Sequence, residues 1–278
     1  MQQAENLNVG GVRTRHVRQG VGPPVVLLHG IGRSLEDWAD TLPALSARCR
    51  VYALDLIGFG LTDKPDVAYS LAGLARFVRH YLRAVGETRP VTLIGNSLGG
   101  AVAQQFAVMY PEATRRLVLV NSAGFGQGVM LALRLLTVPG LGERLMAPNA
   151  ANSARAVRSL FHDPQFATPE RREHALLLAR QPDRARAYLR VARFLGGWRG
   201  VHPAWRDALT RQLAGQRVPT LIVWGERDLI LPADHLRYAR AVYPHARTHL
   251  FPHTGHMPQI ERAGEFNALA LDFLGEAS

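Results

Sequence analysis

Gly95, Ser97 and Gly99 stand at alternate positions in Thr-Leu-Ile-Gly-Asn-Ser-Leu-Gly-Gly, residues 92–100. A serine hydroxyl attacks a carbonyl only when a neighbouring base takes its proton, so the question is what places and activates this one. The β-branched and apolar run Val91–Ile94 predicts a buried strand. Leu98–Tyr110, with Ala101, Val102, Gln105, Phe106 and Met109 at helical spacing, predicts a helix. Between them lies the G-x-S-x-G pattern of a nucleophile elbow. So sharp a turn strains Ser97, and side chains two positions either side would meet neighbouring backbone. The hydroxyl is left at the carboxyl end of a strand, with the Leu98 N–H and the helix N-terminus aimed at whatever it attacks. A Gly/Ser-rich turn without chemistry is the bland alternative; the strand before it and the helix after it favour the elbow.

The remaining parts of such a site occur in chain order. Asp228, in Trp224-Gly225-Glu226-Arg227-Asp228, follows the strand-like run ending at Val223 and suits an orienting acid, with Glu226 and Asp234 as rivals. His256, in Thr254-Gly255-His256-Met257-Pro258, follows the run ending at Phe251 and suits the base, with His249 and His253 as rivals. His29-Gly30-Ile31-Gly32 follows the strand Val25–Leu28, and a Gly-rich turn there can point the Ile31 N–H back toward Ser97. His29 itself suits a structural hydrogen bond in that turn.

Alternating strands and helices must position these residues. Leu7–Val9 and Val12–Val17 flank a Gly10-Gly11 hairpin signal. Val25–Leu28, Val51–Leu54, Val91–Ile94, Leu117–Val120, Pro219–Trp224 and Thr248–Phe251 read as strands. Leu71–Val85, with Leu71, Leu74, Val78 and Leu82 on one stripe, and Ala263–Leu274 read as helices. This alternation predicts an α/β fold with a mostly parallel sheet flanked by helices. It is interrupted once. Residues 125–215 lack strand-like runs and are broken by Pro139, Pro148, Pro164, Pro169, Pro182 and Pro203 into short helices. We read this stretch as a helical cap over the strands' carboxyl ends, and residues 1–124 and 216–278 as the core domain.

Composition excludes several classes. The chain's 278 residues allow one large domain, and 47% apolar with 20% charged residues is ordinary for a globular protein. Met1–Gly11 lacks the order of a signal peptide, and the longest apolar stretch, Val129–Val138, is broken by Arg134 and too short to span a bilayer. Cys49 is the lone cysteine, so a reduced, cytoplasmic setting is expected. The net charge of +11 comes from scattered arginines, with Lys64 the single lysine, as in a GC-rich bacterial genome. No zinc-finger spacing or aromatic-basic run accompanies it, so no nucleic-acid partner is expected. The tightest cluster, Arg171–Arg193, reads as a solvated helix face. No H-e-x-x-H pattern or Cys/His cluster points to a metal, and no cofactor is expected. Nothing indicates a homo-oligomer.

The elbow, the His-Gly turn, the Asp55-x-x-Gly58-x-Gly60 loop and the Gly255-His256 motif, in this order, resemble the α/β-hydrolase-fold serine hydrolases along nearly the whole chain. The resemblance implies Ser97 as nucleophile, His256 as base, Asp228 as the acid holding the imidazole, and an oxyanion hole from the Ile31 and Leu98 N–H groups. Gly95-Asn96-Ser97-Leu98-Gly99-Gly100 and Asp55-Leu56-Ile57-Gly58-Phe59-Gly60 are similar to the carbon–carbon bond hydrolases of meta-cleavage products. Those enzymes usually have Pro-Gly where this chain has Arg33-Ser34, and Trp where it has Met257. The expectation is therefore a carboxylesterase acting on a small-molecule ester, with the carbon–carbon hydrolase second and a non-catalytic small-molecule receptor third. Met130, Leu133, Phe161, Phe166, Phe194 and Met257 are the candidate pocket residues, with Val129, Met130, Leu133 and Leu136 expected on one helical face.

Overall fold

A computed structural model describes residues 4–276, so Met1–Gln3 of the polar start and Ala277–Ser278 at the end of the core segment lie outside the described residues. Strands β1 (Glu5–Val9) and β2 (Val12–Gln19) form the hairpin, turned by Gly10 and Gly11 at φ 58° and 88°. Positive φ at both turn positions matches the right-handed twist of the strands, which is why two glycines sit there. Strands β3 (Pro24–Leu28), β4 (Arg50–Leu54), β5 (Val91–Asn96) and β6 (Thr114–Val120) follow. A two-stranded hairpin comes next, β7 (Gly196–Gly197) and β8 (Gly200–Val201), and then β9 (Thr220–Gly225) and β10 (Arg247–Phe251). The main sheet has the order β1-β2-β4-β3-β5-β6-β9-β10, antiparallel at β1-β2 and β2-β4 and parallel thereafter.

The strands' continuous apolar runs exist because both faces of the sheet are covered. Val26, Leu28, Tyr52, Leu93, Leu119 and Trp224 pack to one side with α2 (Leu71–Ala84) and α3 (Leu98–Met109). Val25, Leu27, Val51, Ile94, Val120 and Val223 pack to the other with Trp38, α1 (Leu42–Ser46) and α12 (Ala263–Gly275). The period of two along each strand thus sorts residues between two cores. Leu71, Leu74, Val78 and Leu82 are all buried on the inward stripe of α2, whose first turn is capped by Ser70 accepting from Gly73 N at 3.1 Å.

Between β6 and β9 run α4 (Leu131–Leu136), α5 (Leu141–Leu145), α6 (Ala150–Arg158), α7 (Pro169–Ala179), α8 (Arg184–Leu195) and α9 (Pro203–Ala214). Pro169 and Pro203 open α7 and α9, where a missing N–H costs nothing. Two expectations for this stretch need correction. It does contain strand: Gly196–Val201 doubles back as the β7–β8 hairpin. And Val129 and Met130 precede α4, with Met130 extended and its N–H bonded to Ile230 O at 2.9 Å, so these two do not share a helical face with Leu133 and Leu136. The arginine cluster is also more than a solvated face. Arg171 pairs with Asp40, Arg190 with Asp66, and Arg186 donates to Lys64 O, which together stitch α7 and α8 to loops of the sheet domain. The short helices α10 (Asp234–Val242) and α11 (Pro258–Glu261) flank β10 ahead of α12. No helix among the described residues is long and apolar enough to cross a membrane.

Candidate active site

Ser97 sits between β5 and α3 at φ 55° and ψ −115°, a region that costs a non-glycine residue about 1–3 kcal/mol. The glycines around it have a packing reason. A Cβ on Gly95 would lie 2.3 Å from Gly99 O, and one on Gly99 would lie 2.1 Å from Leu28 O, so α3 can cross the sheet this closely only without those side chains. Leu98 N is the first N–H of α3, where the helix itself supplies no acceptor, and Leu98 lines the cleft beside Ser97.

Asp228 lies just beyond β9, with its side chain fully buried. One carboxylate oxygen accepts from Ile230 N at 2.7 Å and Leu231 N at 3.0 Å. The other accepts from His256 Nδ1 at 2.7 Å and from Asn121 Nδ2 at 2.6 Å. A buried carboxylate is tolerated when its lone pairs are met in this way. With Nδ1 donating to Asp228, the His256 tautomer leaves Nε2 as the basic nitrogen. Nε2 has no hydrogen-bond partner among the described residues. Asn96, next to Ser97, donates from Nδ2 to His256 O at 3.1 Å and so joins the His256 loop to the elbow. The rivals stand elsewhere. Glu226 is bonded to His253 N, Asp234 opens α10 on the surface, His253 is exposed and His249 is packed edge-on to Phe251.

The turn bearing Ile31 is held from behind. His29 Nε2 accepts from Leu56 N at 3.0 Å, so Nδ1 carries the proton and donates to Gly30 O at 2.7 Å. Asp55 accepts from Leu35 N at 2.7 Å and Leu61 N at 2.8 Å, and burial pushes its carboxyl up against the pull of those bonds and of Arg15. Arg33 donates from Nε to Asp37 at 3.0 Å. Ser34 donates to Glu36 at 2.6 Å and is 2.8 Å from His174 Nε2 on α7. Glu36, bonded to His174, Arg15 and Ser34, has its carboxyl held far below the usual range despite burial.

A cavity of about 80 Å³ opens beside Ser97. Ile31, Ser97, Leu98, Ile230 and Leu231 line it from the sheet domain; Leu133, Tyr188, Leu195, Val201 and Trp205 line it from the helical insertion. Of the candidate pocket residues only Leu133 is on this wall. Phe161 and Met257 are buried in a separate cluster with Val157 and Ile260, joined by Phe166. Phe194 is exposed on the far side of α8, and Met130 packs against the core. Apolar side chains of this kind fill either a core or a pocket, and spacing alone does not separate the two.

Three residues escape a reading of the sequence. Asn121, at φ 44° just after β6, reaches across to Asp228 and also accepts from Gly225 N at 3.3 Å. Glu261 is a buried carboxylate in α11. Arg184, at the start of α8, is stacked on Tyr188 at 5.4 Å, with Nη2 3.7 Å from where a Gly32 Cβ would lie. Its Nε is buried without a hydrogen-bond partner, no carboxylate pairs with it among the described residues, and burial lowers its pKa. Only Asn121 left a sequence signal, an amide directly after a predicted strand. Among the described residues no group of three or more His, Cys, Asp and Glu side chains is placed to hold a metal ion.

Residues 23–263 match the family described as alpha/beta hydrolase fold. The chain is 31% identical to the 2-hydroxy-6-oxo-2,4-heptadienoate hydrolase of Pseudomonas putida, over 95% of this chain and 94% of that one. It is 33% identical to the dihydrolipoyllysine-residue acetyltransferase component of the acetoin cleaving system of Cupriavidus necator, over 96% of this chain and 68% of that one. Among solved structures, the meta-cleavage product hydrolase of Pseudomonas fluorescens IP01 superposes with a TM-score of 0.84 at 28% identity, covering 99% and 98% of the two chains.

Proposed function

Given that the chain belongs to the alpha/beta hydrolase fold family, we propose that it is a serine hydrolase whose substrate carries a carboxylate, and that the bond it breaks is the carbon–carbon bond beside a ketone in a meta-cleavage-type dienoate. Ser97 Oγ attacks the ketone while His256 Nε2 takes its proton, and the Ile31 and Leu98 N–H groups receive the oxyanion, each for about 3 kcal/mol in the transition state. Asp228 holds the imidazole and stabilises its positive form. The tetrahedral intermediate forms on the 2-oxo tautomer of the substrate, in which the 2-hydroxyl proton has moved to C5. Its collapse breaks the carbon–carbon bond, the electron pair passes through the chain to the 2-oxo oxygen, and that oxygen takes the proton from His256 to leave as the 2-hydroxydienoate. Water, deprotonated by the same histidine, then releases the acyl group from Ser97.

Arg184 carries this reading. Arg184 stands behind Tyr188 of the cavity wall, its Nε buried without a partner, its Nη1 facing only Met146 Sδ at 3.8 Å and no carboxylate paired with it, so a substrate carboxylate reaching the Gly32 turn would supply its counter-ion. The relatives named for dienoates point the same way and reverse the order that puts simple esters first. The helical insertion acts in this proposal as a cap, because five of the cavity's lining residues named above come from it. Carboxylic ester hydrolysis is the second reading, favoured by the apolar wall of the cavity.

The test compares 2-hydroxy-6-oxo-2,4-heptadienoate with p-nitrophenyl butyrate on wild type and Arg184→Met. The dienoate should show the higher kcat/KM, and the variant should lose about tenfold or more on it while sparing the ester, as for one charge-assisted hydrogen bond. Preference for the ester, with no effect of Arg184→Met on either substrate, would put the second reading first.

A further inference from the structure

His256 lies in a loop that touches the helical insertion as closely as it touches the core. Its N–H donates to Leu160 O at 2.7 Å, while its own carbonyl accepts from Asn96 at 3.1 Å. Leu160 belongs to the segment between α6 and Pro164, so the base's backbone is suspended between the insertion and the nucleophile elbow. Glu261 closes this joint. Its Oε2 accepts from Gly255 N at 2.6 Å and its Oε1 from Asp163 N at 2.9 Å, one oxygen for each side. The approach leaves no room for a side chain: a Cβ on Gly255 would lie 2.7 Å from both Leu160 O and His162 N. Phe161, Val157, Met257 and Ile260 form one buried apolar cluster drawn from both sides of the joint.

We propose that Glu261 is a positioning residue for the base: by bonding Gly255 and Asp163 at once it locks the His256 loop to residues 160–163 of the insertion, so that imidazole placement depends on the insertion being seated. The proposal rests on His256 being the base. Nothing in the reaction needs Glu261 to touch substrate, and a carboxylate would not be buried at this joint for packing alone, where an apolar residue would be cheaper. Both N–H groups require an acceptor. A glutamine supplies one, and turns its NH2 toward the other donor.

The experiment measures kcat and KM with p-nitrophenyl acetate from pH 5 to 9 for wild type, Glu261→Gln, Asp163→Pro and Ser97→Ala, with circular dichroism on each. Glu261→Gln should lower kcat by about 10- to 50-fold, keep KM within about threefold and shift the acid limb of the kcat profile, because the base rather than the binding wall has moved. Asp163→Pro removes the Asp163 N–H donor at φ −83°, which proline accepts, together with the Asp163 side-chain bonds to Gln165 at 2.9 and 2.6 Å, and should lower kcat by about 3- to 10-fold. Should Glu261→Gln fail to fold, Asp163→Pro decides alone. A folded variant with wild-type kcat and pH profile, where Ser97→Ala is inactive, overturns the positioning role and leaves the triad standing. Undiminished turnover by Ser97→Ala removes the triad itself, whatever Glu261 does.

Discussion

Asn121→Gly isolates the part of the site that no motif announces. Asn121 gives Asp228 one of its four hydrogen bonds, at 2.6 Å, and accepts from Gly225 N at 3.3 Å. Removing a buried bond to a carboxylate costs about 1.5–3 kcal/mol, and the lost acceptor for Gly225 adds about 1 kcal/mol. Glycine at φ 44° recovers about 1 kcal/mol of backbone strain, which makes this variant cleaner than alanine. The net loss is about 1.5–3 kcal/mol, and with an unfolding entropy of about 2.1 cal/mol/K per residue over 278 residues it should appear as a fall in Tm of about 3–5 °C. Catalysis should suffer as well. Disabling a triad aspartate entirely costs about 10⁴-fold, so loosening one of its four anchors should lower kcat by about 10- to 100-fold. The assay is kcat against pH with a chromogenic ester, beside thermal melts by circular dichroism. A Tm within about 1 °C and a kcat within about twofold of wild type would show that the backbone donors Ile230 and Leu231 fix Asp228 unaided, refuting the argument from bond count.

Three other outcomes are expected. Ser97→Ala or His256→Ala should lower turnover by about four to six orders of magnitude, and Asp228→Asn by about four, in steady-state assays on folded protein. Leu133→Trp, which adds bulk to a wall of a cavity of about 80 Å³, should shorten the preferred acyl chain in a series of p-nitrophenyl esters; an unchanged profile would remove Leu133 from the acyl wall. His235 is buried against Trp224 and Gly126, with its pKa pushed down from 6.5 to about 4 by desolvation. The native state therefore keeps the ring neutral while the unfolded chain takes a proton. The resulting stability is full above pH 6.5 and is lost as pH falls toward 4. His235→Leu should flatten Tm against pH in that window, and an unaltered slope would refute this.

What was legible in the sequence follows the range of the forces involved. The sheet strands announce themselves because both faces are buried, and the α2 stripe because one face is; these are local patterns. Ser97, Asp228 and His256 are legible because each sits where a strand ends, and their order along the chain orders them in space. Asn121 and Glu261 are not legible in this way. Their partners lie 107 residues away in one case and 98 and six in the other, and an amide or carboxylate in a loop reads as a cap or a solvated charge. The pocket is least legible of all. Phe161, Phe166 and Met257 have the composition of a substrate wall, but they close the joint beneath His256 instead.

That displacement changes the weight of the two departures that favour a simple ester. Met257 lies in the buried cluster beside His256, packed with Phe161 and Ile260. Arg33 is spent on Asp37, and Ser34 on Glu36 and His174, which anchor α7 of the insertion beside the oxyanion turn. Replacing Pro-Gly with Arg-Ser therefore changes how the turn is tied down, while Ile31 still lines the cavity beside Ser97. Neither departure weighs against the proposed dienoate. In that proposal the residue that matters is Arg184 on α8, far along the chain from every motif. On the proposed reading, an ester of two apolar halves would leave Arg184 Nε without a partner, whereas an oxo-acid would supply its counter-ion and the electron sink that a carbon leaving group requires.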